Sequence, residues 1–222
     1  MRATVTTMRL NALTSKASRA GRLGFSWSPL AACVAVLCAC GGSGSDPLGN
    51  ASEIANTSGP AGQTLSYAYF QRCINPIFLA QLQIQLGSTT ATNTCAAAGC
   101  HAAATGAGGA FRIVPSAQVV DVTNPANTAA VIRTMDMYKN FYSAQSETIV
   151  GTPLDSKLIK KPLLLNVLHG GGRIFANTDD PHVQLMEYWI NNPVPNGDDE
   201  FSTANYTMFT PADPMNGTCN TQ

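Results

Sequence analysis

Apolar residues recur at helical spacing in the first half of the chain. From Phe70 to Leu82 every fourth residue is apolar, which predicts an amphipathic helix over residues 66–86. Asn75-Pro76 interrupts this pattern. Because Asn is a good N-cap and Pro a good first helical residue, the step indicates a kink or a helix restart.

Three further helices are predicted from proline-bounded apolar patterns. They are a helix from Asn124-Pro125 with Val131, Met135, Tyr138 and Tyr142 on one face, a short helix over 156–161, and a helix from Asp180-Pro181 to Asn191 with Val183, Met186, Trp189 and Ile190 inside. Residues 111–114 and 119–122 are extended candidates too short to define a sheet. The pattern therefore predicts a mainly α fold with long, irregular, Gly-rich loops.

The N-terminus has the composition of an export signal. Residues 1–24 contain five basic residues and no acidic one, and an apolar run over 30–40 follows. That run is shorter than the roughly 20 residues a membrane-spanning helix needs. Met8 is an alternative start to Met1, because it leaves a basic region of ordinary length.

A candidate lipidation site ends this apolar run. Leu37-Cys38-Ala39-Cys40 followed by Gly41-Gly42-Ser43 resembles a bacterial lipobox, which implies a diacylated Cys40. Leu30-Ala31-Ala32-Cys33 fits the same pattern, but the apolar run continues past Cys33, so Cys40 is preferred. Residues 40–64 are rich in Gly, Ser, Asn and Thr and are expected to form a flexible tether.

Charge excludes one class of function. The chain has 13 basic and 13 acidic residues, and five of the basic residues precede Cys40. Without the signal, the chain has eight basic and 13 acidic residues, which gives a net charge of −5. A nucleic-acid surface needs clustered Lys and Arg, and the sole basic cluster is Lys157, Lys160 and Lys161. Nucleic-acid binding is therefore not expected, although these lysines could border a cofactor and meet an acidic redox partner.

The segment from Cys95 to His101 carries the strongest chemical signal. Two cysteines followed at once by a histidine can hold a c-type haem, with both thiols bonded to porphyrin vinyl groups and His101 bound to the iron. Four residues separate Cys95 and Cys100, where the usual motif has two. The spacer is Ala-Ala-Ala-Gly, small enough for the backbone to pack against the ring.

Two other interpretations of this segment remain open. Cys95 and Cys100 could form a local disulfide, or together with His101 they could supply three of four zinc ligands. No second cysteine pair completes a zinc ribbon, and thiolate zinc sites are less expected in an oxidising compartment. Haem is the leading prediction.

His169 is the predicted sixth ligand of the iron. It lies between the apolar run 163–168 and Gly170-Gly171-Gly172, and glycines allow backbone to approach a flat ring. The alternatives are a histidine satisfied within a turn, and a methionine ligand from Met135 or Met137. His-Gly-Gly-Gly also occurs in esterases, but the chain has no Gly-x-Ser-x-Gly nucleophile elbow, so no enzymatic activity is expected.

Cysteine counting predicts one structural disulfide. After the signal, lipid and haem cysteines are assigned, Cys73 and Cys219 remain as an even pair. A bridge between them would fasten an otherwise disordered tail, residues 196–222, to the first helix. The alternative is a buried free thiol at Cys73 and a frayed tail at Cys219.

Several of these segments together resemble the monohaem cytochrome c domains of planctomycete type that occur in exported bacterial proteins. The resemblance covers about residues 66–192, and it implies a helical cytochrome c fold whose first and last helices pack together, with haem on Cys95 and Cys100 and His101 as proximal ligand. The segments that carry it are Tyr69-Phe70-Gln71-Arg72, Pro76-Ile77-Phe78, Cys95 to His101, Ser156 to Pro162, His169-Gly170-Gly171-Gly172, and Gln184 to Ile190 with Trp189.

The sequence therefore predicts a membrane-anchored lipoprotein that carries single electrons on one covalent haem c and is not an enzyme. Its expected parts are a signal peptide over 1–39, a tether over 40–64, a haem domain over 65–195 and a tail over 196–222. It would face the periplasm or lie on the outer membrane, held by its lipid, and exchange electrons with other redox proteins. The rival prediction is a haem-free structural or binding lipoprotein in which Cys95 and Cys100 form a disulfide or metal site.

Overall fold

A computed structural model of the protein describes residues 63–222. The predicted signal peptide, Cys40 and almost all of the tether lie outside these residues. No helix within them is long and apolar enough to cross a membrane. The elements are α1 (Tyr67–Tyr69), a π-helical turn (Phe70–Ile74), α2 (Asn75–Leu79), β1 (Leu82–Leu86), β2 (Thr89–Asn93), α3 (Ala129–Ile132), α4 (Asp136–Gln145), a 3-10 turn (Pro153–Asp155), α5 (Lys157–Lys160), α6 (Pro181–Asn191), a 3-10 helix (Thr203–Met208), β3 (Phe209–Thr210) and β4 (Thr218–Cys219).

The prediction of a mainly α, cytochrome c-like fold is wrong. Of the described residues, 32% are helical and 11% lie in strands, and the two sheets have two strands each. The helices are short because turns and prolines interrupt them. More than half of this region is irregular, so its shape depends on side-chain packing and loop hydrogen bonds.

The first predicted helix ends earlier than its apolar spacing suggested. Ser66 caps it, since its side chain accepts a hydrogen bond from the Tyr69 amide at 3.2 Å. The π-helical turn ends at Ile74, two residues before Pro76, which has no amide hydrogen to donate to the preceding turn. Helical structure then stops at Leu79.

Residues 82–93 form an antiparallel hairpin instead of the end of a helix. Leu82 and Ile84 are buried while Gln83 and Gln85 are exposed, the alternation expected of a half-buried strand. Leu86 pairs with Thr89 across a two-residue turn that begins at Gly87, whose φ is +61°. Hairpin turns favour glycine at that position because its φ is positive.

The second predicted helix is divided and presents a different face to the core. Its parts are α3, capped by Thr128, and α4, and residues 124–127 form a turn. Met137 and Phe141 are buried, whereas Val131 and Tyr142 are 42% and 65% exposed. The predicted pattern assumed one continuous helix. The break at residues 133–135 changes which residues of α4 face the core. The extended candidates over 111–114 and 119–122 are loops, apart from an isolated bridge between Ile113 and Ala102.

The last predicted helix is confirmed as α6. Asp180 caps it by accepting a hydrogen bond from the His182 amide at 2.9 Å, and Pro181 is its first residue. Trp189 is fully buried and packs on Phe70 with ring centroids 5.5 Å apart. Its indole nitrogen donates to the Ser66 carbonyl at 3.0 Å, so the first and last helices pack together.

The predicted disulfide between Cys73 and Cys219 is present, and it links residues 146 positions apart. The tail that it fastens has ordered structure of its own, contrary to the expectation of an otherwise disordered segment. It contains a 3-10 helix and the β3–β4 pair, and it buries Met208 and Phe209 in the main core. These apolar side chains contribute to the core independently of the bridge.

Candidate functional site

A cavity of about 500 Å³ contains both cysteines and both histidines predicted to hold haem. This volume lies within the range of about 300–1,000 Å³ that is usual for small-molecule and cofactor sites. Most of the exposed cavity wall is apolar, and α2, β1, α5 and α6 all contribute to it. The apolar side chains include Ile77, Phe78, Ile84, Phe111, Phe175 and Met186.

Short hydrogen bonds fasten the Cys95–His101 loop to the end of α2. The Thr94 hydroxyl donates to the Phe78 carbonyl at 2.6 Å, and the Ala96 amide donates to the same oxygen at 3.1 Å. The His101 amide donates to the Cys95 carbonyl at 3.0 Å and closes the loop. Gly99 has a φ of +82°, a conformation that glycine adopts without steric cost. The four-residue spacer is thus a compact turn that leaves the two cysteines on one cavity wall.

Cys95 and Cys100 are free thiols in this structure, in contrast to Cys73 and Cys219. The pKa of Cys95 is raised to about 11, first by burial and second by the neighbouring Cys100. Both effects disfavour the thiolate. Cys95 is therefore a neutral thiol near pH 7.

The His101 side chain is held with one ring nitrogen towards the protein backbone. Its Nδ1 lies 3.1 Å from the Phe111 carbonyl oxygen, and the two rings pack with centroids 4.8 Å apart. Because a carbonyl oxygen can only accept, Nδ1 carries the hydrogen and Nε2 keeps its lone pair. Gly108 packs against the ring, and a Cβ at that position would lie 2.5 Å from His101 Cε1 and Nδ1. No residue larger than glycine fits there.

Burial lowers the pKa of His101, and the nearby His169, Arg112 and Lys161 lower it further. The hydrogen bond to Phe111 opposes this shift but does not outweigh it. His101 is therefore a neutral imidazole at pH 7, the form in which histidine binds metals.

The loop of His169 orients its ring in the same manner. Nδ1 of His169 lies 2.8 Å from the Gly172 carbonyl oxygen, so Nδ1 donates and Nε2 is the nitrogen left for another partner. Gly171 lies beside the ring, where a Cβ would be 3.0 Å from His169 Cε1. Histidines that bind metals commonly donate their other N–H to a backbone carbonyl in this way.

The β1–β2 hairpin joins these two parts of the site. Its second strand leads into the Cys95 loop, while Gln85 in its first strand exchanges backbone hydrogen bonds with Arg173 at 2.8 and 3.0 Å. Gly172 has a φ of +74° and lies so close to the Gln85 carbonyl that a Cβ would overlap it. The hairpin, which the sequence analysis did not predict, therefore places the His169 loop relative to the cysteines.

The two histidine rings lie at a separation suited to a shared metal ion. Their centroids are 6.3 Å apart and their planes are inclined by 13°. With metal–nitrogen bonds of about 2 Å, two imidazoles on opposite sides of one metal ion have centroids roughly 6–6.5 Å apart. Two imidazoles are a number of protein ligands that a haem iron can take, so the residues present fit such a group.

The other candidate residues are placed elsewhere. Met135 and Met137, the alternative sixth ligands, line a separate cavity with residues 116–121. His182 lies at the start of α6, where its Nδ1 is 3.0 Å from Asp180. The methionine that does line the cysteine–histidine cavity is Met186, which the sequence analysis assigned to helix packing. Within residues 63–222 no group of three or more His, Cys, Asp or Glu side chains has a metal-binding arrangement, which gives the zinc interpretation no support.

Comparison with known proteins finds no matching family model, no similar curated protein and no similar solved structure. The function must therefore be argued from the site itself.

Proposed function

We propose that this protein is a c-type cytochrome, a single-electron carrier in which Cys95 and Cys100 would hold one haem covalently and His101 and His169 would bind its iron. The observation that carries the proposal is the pair of imidazole rings, with centroids 6.3 Å apart, in the cavity that also contains both thiols. When bound, the haem iron would supply the one-electron redox chemistry. The proposal rests on the residues of this cavity and does not depend on a helical cytochrome c fold.

The chain's own residues would have separate roles. Each thiol would form one S–C bond by addition across a vinyl group, with its proton going to the other vinyl carbon and no net oxidation. Nε2 of His101 and Nε2 of His169 would bind the iron, and the carbonyls of Phe111 and Gly172 keep these nitrogens directed away from the backbone. With the haem bound, the apolar side chains of the cavity would pack against the ring.

One side of the cavity lies open to solvent. Leu168, which lines it, is 95% exposed, and Gly170 and Gly109 in the same lining are exposed as well. A bound cofactor would have an edge near the surface, where electrons can pass to and from a partner. This openness supports electron transfer. Because His101 and His169 would both bind the iron, no coordination position would remain for a substrate.

Co-expression with a c-type haem maturation system tests the proposal. The exported wild-type protein should gain the mass of one haem, keep its colour after acid–acetone extraction and give a reduced c-type spectrum. Cys95→Ser with Cys100→Ser should lose covalent haem, whereas Cys73→Ser with Cys219→Ser should retain it and serves as the control. A colourless, unmodified wild-type protein would instead favour the haem-free structural or binding lipoprotein.

Membrane attachment belongs to the same proposal. We infer from the sequence that an acylated Cys40 holds the domain at a bacterial membrane that faces the periplasm, with residues 40–64 as the tether. Such an arrangement restricts the carrier to partners near the membrane surface.

A further inference from the structure

Three residues that carry formal charge line the cavity, namely Glu147, Lys157 and Lys161. Lys157 is the first residue of α5 and Lys161 is its C-cap, so the two lysines are four positions apart and share one face of the helix. Glu147 carries the opposite charge, so the lining has a net charge of +1. The cavity therefore combines an apolar wall with two cationic groups about one helical turn apart.

The position of α5 is fixed by contacts with the segment that follows α4. The Leu158 amide donates to the Glu147 carbonyl at 3.0 Å, and the Ser156 hydroxyl accepts from the Ile149 amide at 2.8 Å. Ser156 is fully buried. Because its backbone is held in this way, α5 presents its lysines at a defined place on the cavity wall.

The three lysines of this cluster differ in their partners. Lys160 Nζ lies 3.8 Å from the Asp155 carboxylate. Within residues 63–222, Lys157 and Lys161 form no ion pair within 4.0 Å. The charge of Lys161 also contributes to the lowered pKa of His101, which places Lys161 within electrostatic reach of that imidazole. Two lysines with no ion-pair partner within 4.0 Å, in a cavity lining whose net charge is +1, favour an anionic ligand.

We propose that Lys157 and Lys161 bind the two carboxylate groups of the ligand in this cavity, which are the porphyrin propionates if the proposed function holds. An ammonium group and a carboxylate form a charge-assisted hydrogen bond. Apolar contacts, His101 and His169 would then hold the ring. The lysines would determine which edge of the ring lies towards α5. The lysines are thus orientation-determining residues of the haem site.

Iron(III) mesoporphyrin and its dimethyl ester test this assignment on the mature full-length protein. Mesoporphyrin has no vinyl groups, so affinity is measured without thioether formation, and the ester has the same ring without the charged carboxylates. Affinities follow from titration of the porphyrin absorption band. Lys157→Gln and Lys161→Gln should each weaken binding of the free acid about fivefold to tenfold, as expected for partly exposed ion pairs, and leave binding of the ester unchanged.

Lys160→Gln is the matched control, since this lysine is on the same helix and pairs with Asp155; it should bind both porphyrins as the wild type does. Lys161→Arg should retain affinity for the free acid. If the Lys157→Gln, Lys161→Gln double variant binds the free acid as tightly as wild type, the carboxylate assignment is wrong while the proposed haem site stands. If the wild type binds neither porphyrin, both proposals are wrong.

Discussion

Gln85 and Arg173 exchange two backbone hydrogen bonds, at 2.8 and 3.0 Å, and so connect the hairpin before Cys95 with the loop that carries His169. The Arg173 guanidinium also donates to the Gln85 side-chain oxygen. Gly172 lies between His169 and this contact, with its carbonyl oriented towards His169 Nδ1. One backbone pairing thereby sets both the direction of the His169 ring and its distance from the cysteine loop.

Gly172→Ala should disrupt this arrangement. Its φ of +74° is unfavourable for alanine by about 1–2 kcal/mol, and the new Cβ would overlap the Gln85 carbonyl. We expect the free energy of unfolding to fall by about 2–4 kcal/mol, measured by urea denaturation. Gly170→Ala is the control, because a Cβ there meets nothing within 4 Å. Equal stability of the two variants would contradict the close packing of Gly172.

His169→Ala should open one coordination position of the proposed haem. The reduced variant is expected to bind carbon monoxide, which the wild type should not, and His169→Met should raise the reduction potential. His182→Ala is the matched control, since that ring contacts Asp180 near the surface. A ferric sulfur-to-iron band in the wild type that persists in His169→Ala would identify a methionine ligand, and Met186→Leu would then test the methionine of this cavity.

Removing the disulfide should destabilise the domain without detaching the tail. The bridge closes a loop of nearly 150 residues, and loss of such a crosslink typically costs about 2–5 kcal/mol. Because Met208 and Phe209 are buried in the core, Cys73→Ala with Cys219→Ala should keep a folded tail at low temperature, as measured by amide hydrogen exchange. In the wild type, alkylation without reduction should leave both cysteines unlabelled. Full labelling of either one would show that the bridge is absent.

Glu200 should make stability depend on pH in the acidic range. Burial alone would raise its pKa, but hydrogen bonds from Arg133, its own backbone and Tyr138 lower it below the ordinary value. The Arg133 Nε and the Tyr138 hydroxyl lie 2.9 and 2.8 Å from Glu200 Oε1. Since the folded-state pKa is depressed, this stabilisation is complete above the ordinary glutamate pKa of about 4.3 and is lost as pH falls through the folded value.

Glu200→Gln tests this contribution. The variant should be less stable than wild type by about 1–2 kcal/mol at pH 7, and the difference should shrink towards pH 3 in denaturant titrations. Asp199→Asn alters the weaker contact to the same Arg133, at 3.7 Å between half-exposed groups, and should change stability by less than about 1 kcal/mol. A Glu200→Gln effect that is constant over this pH range would exclude the ionised carboxylate as its source.

Cys40→Ser should abolish lipid attachment if Cys40 is the acylated residue. The variant is expected to accumulate as unprocessed precursor or to leave the membrane fraction, because the acyl chains on Cys40 are the proposed anchor. Mass spectrometry of the mature N-terminus and membrane fractionation measure the outcome. Cys33→Ser is the control, and normal processing of Cys40→Ser together with loss of processing in Cys33→Ser would move the lipidation site to Cys33.

The sequence by itself determined features that depend on adjacent residues. The Asp180-Pro181 step predicted the start of α6, because a cap and a first-turn proline act within a few residues. Counting cysteines identified the Cys73–Cys219 pair, since each other cysteine had a local motif. The Leu-Gln-Ile-Gln-Leu alternation of β1 and the following Gly87 are local signals of the hairpin, and they outweigh the four-residue spacing from Phe70 to Leu82.

Tertiary structure alone decided how the separate motifs meet. Gln85 and Arg173 are 88 positions apart, and no local pattern predicts that their backbones pair. That pairing places His169 with its ring centroid 6.3 Å from that of His101 and leaves Met135 and Met137 at a different cavity. The predicted helical content is too high because helix propensity depends on neighbouring residues in the sequence. The packing around Pro76 and the tail depends on residues that are distant in the sequence. The residues of the site can be named from the sequence. Their arrangement around one cavity depends on long-range contacts, and only the tertiary structure provides those.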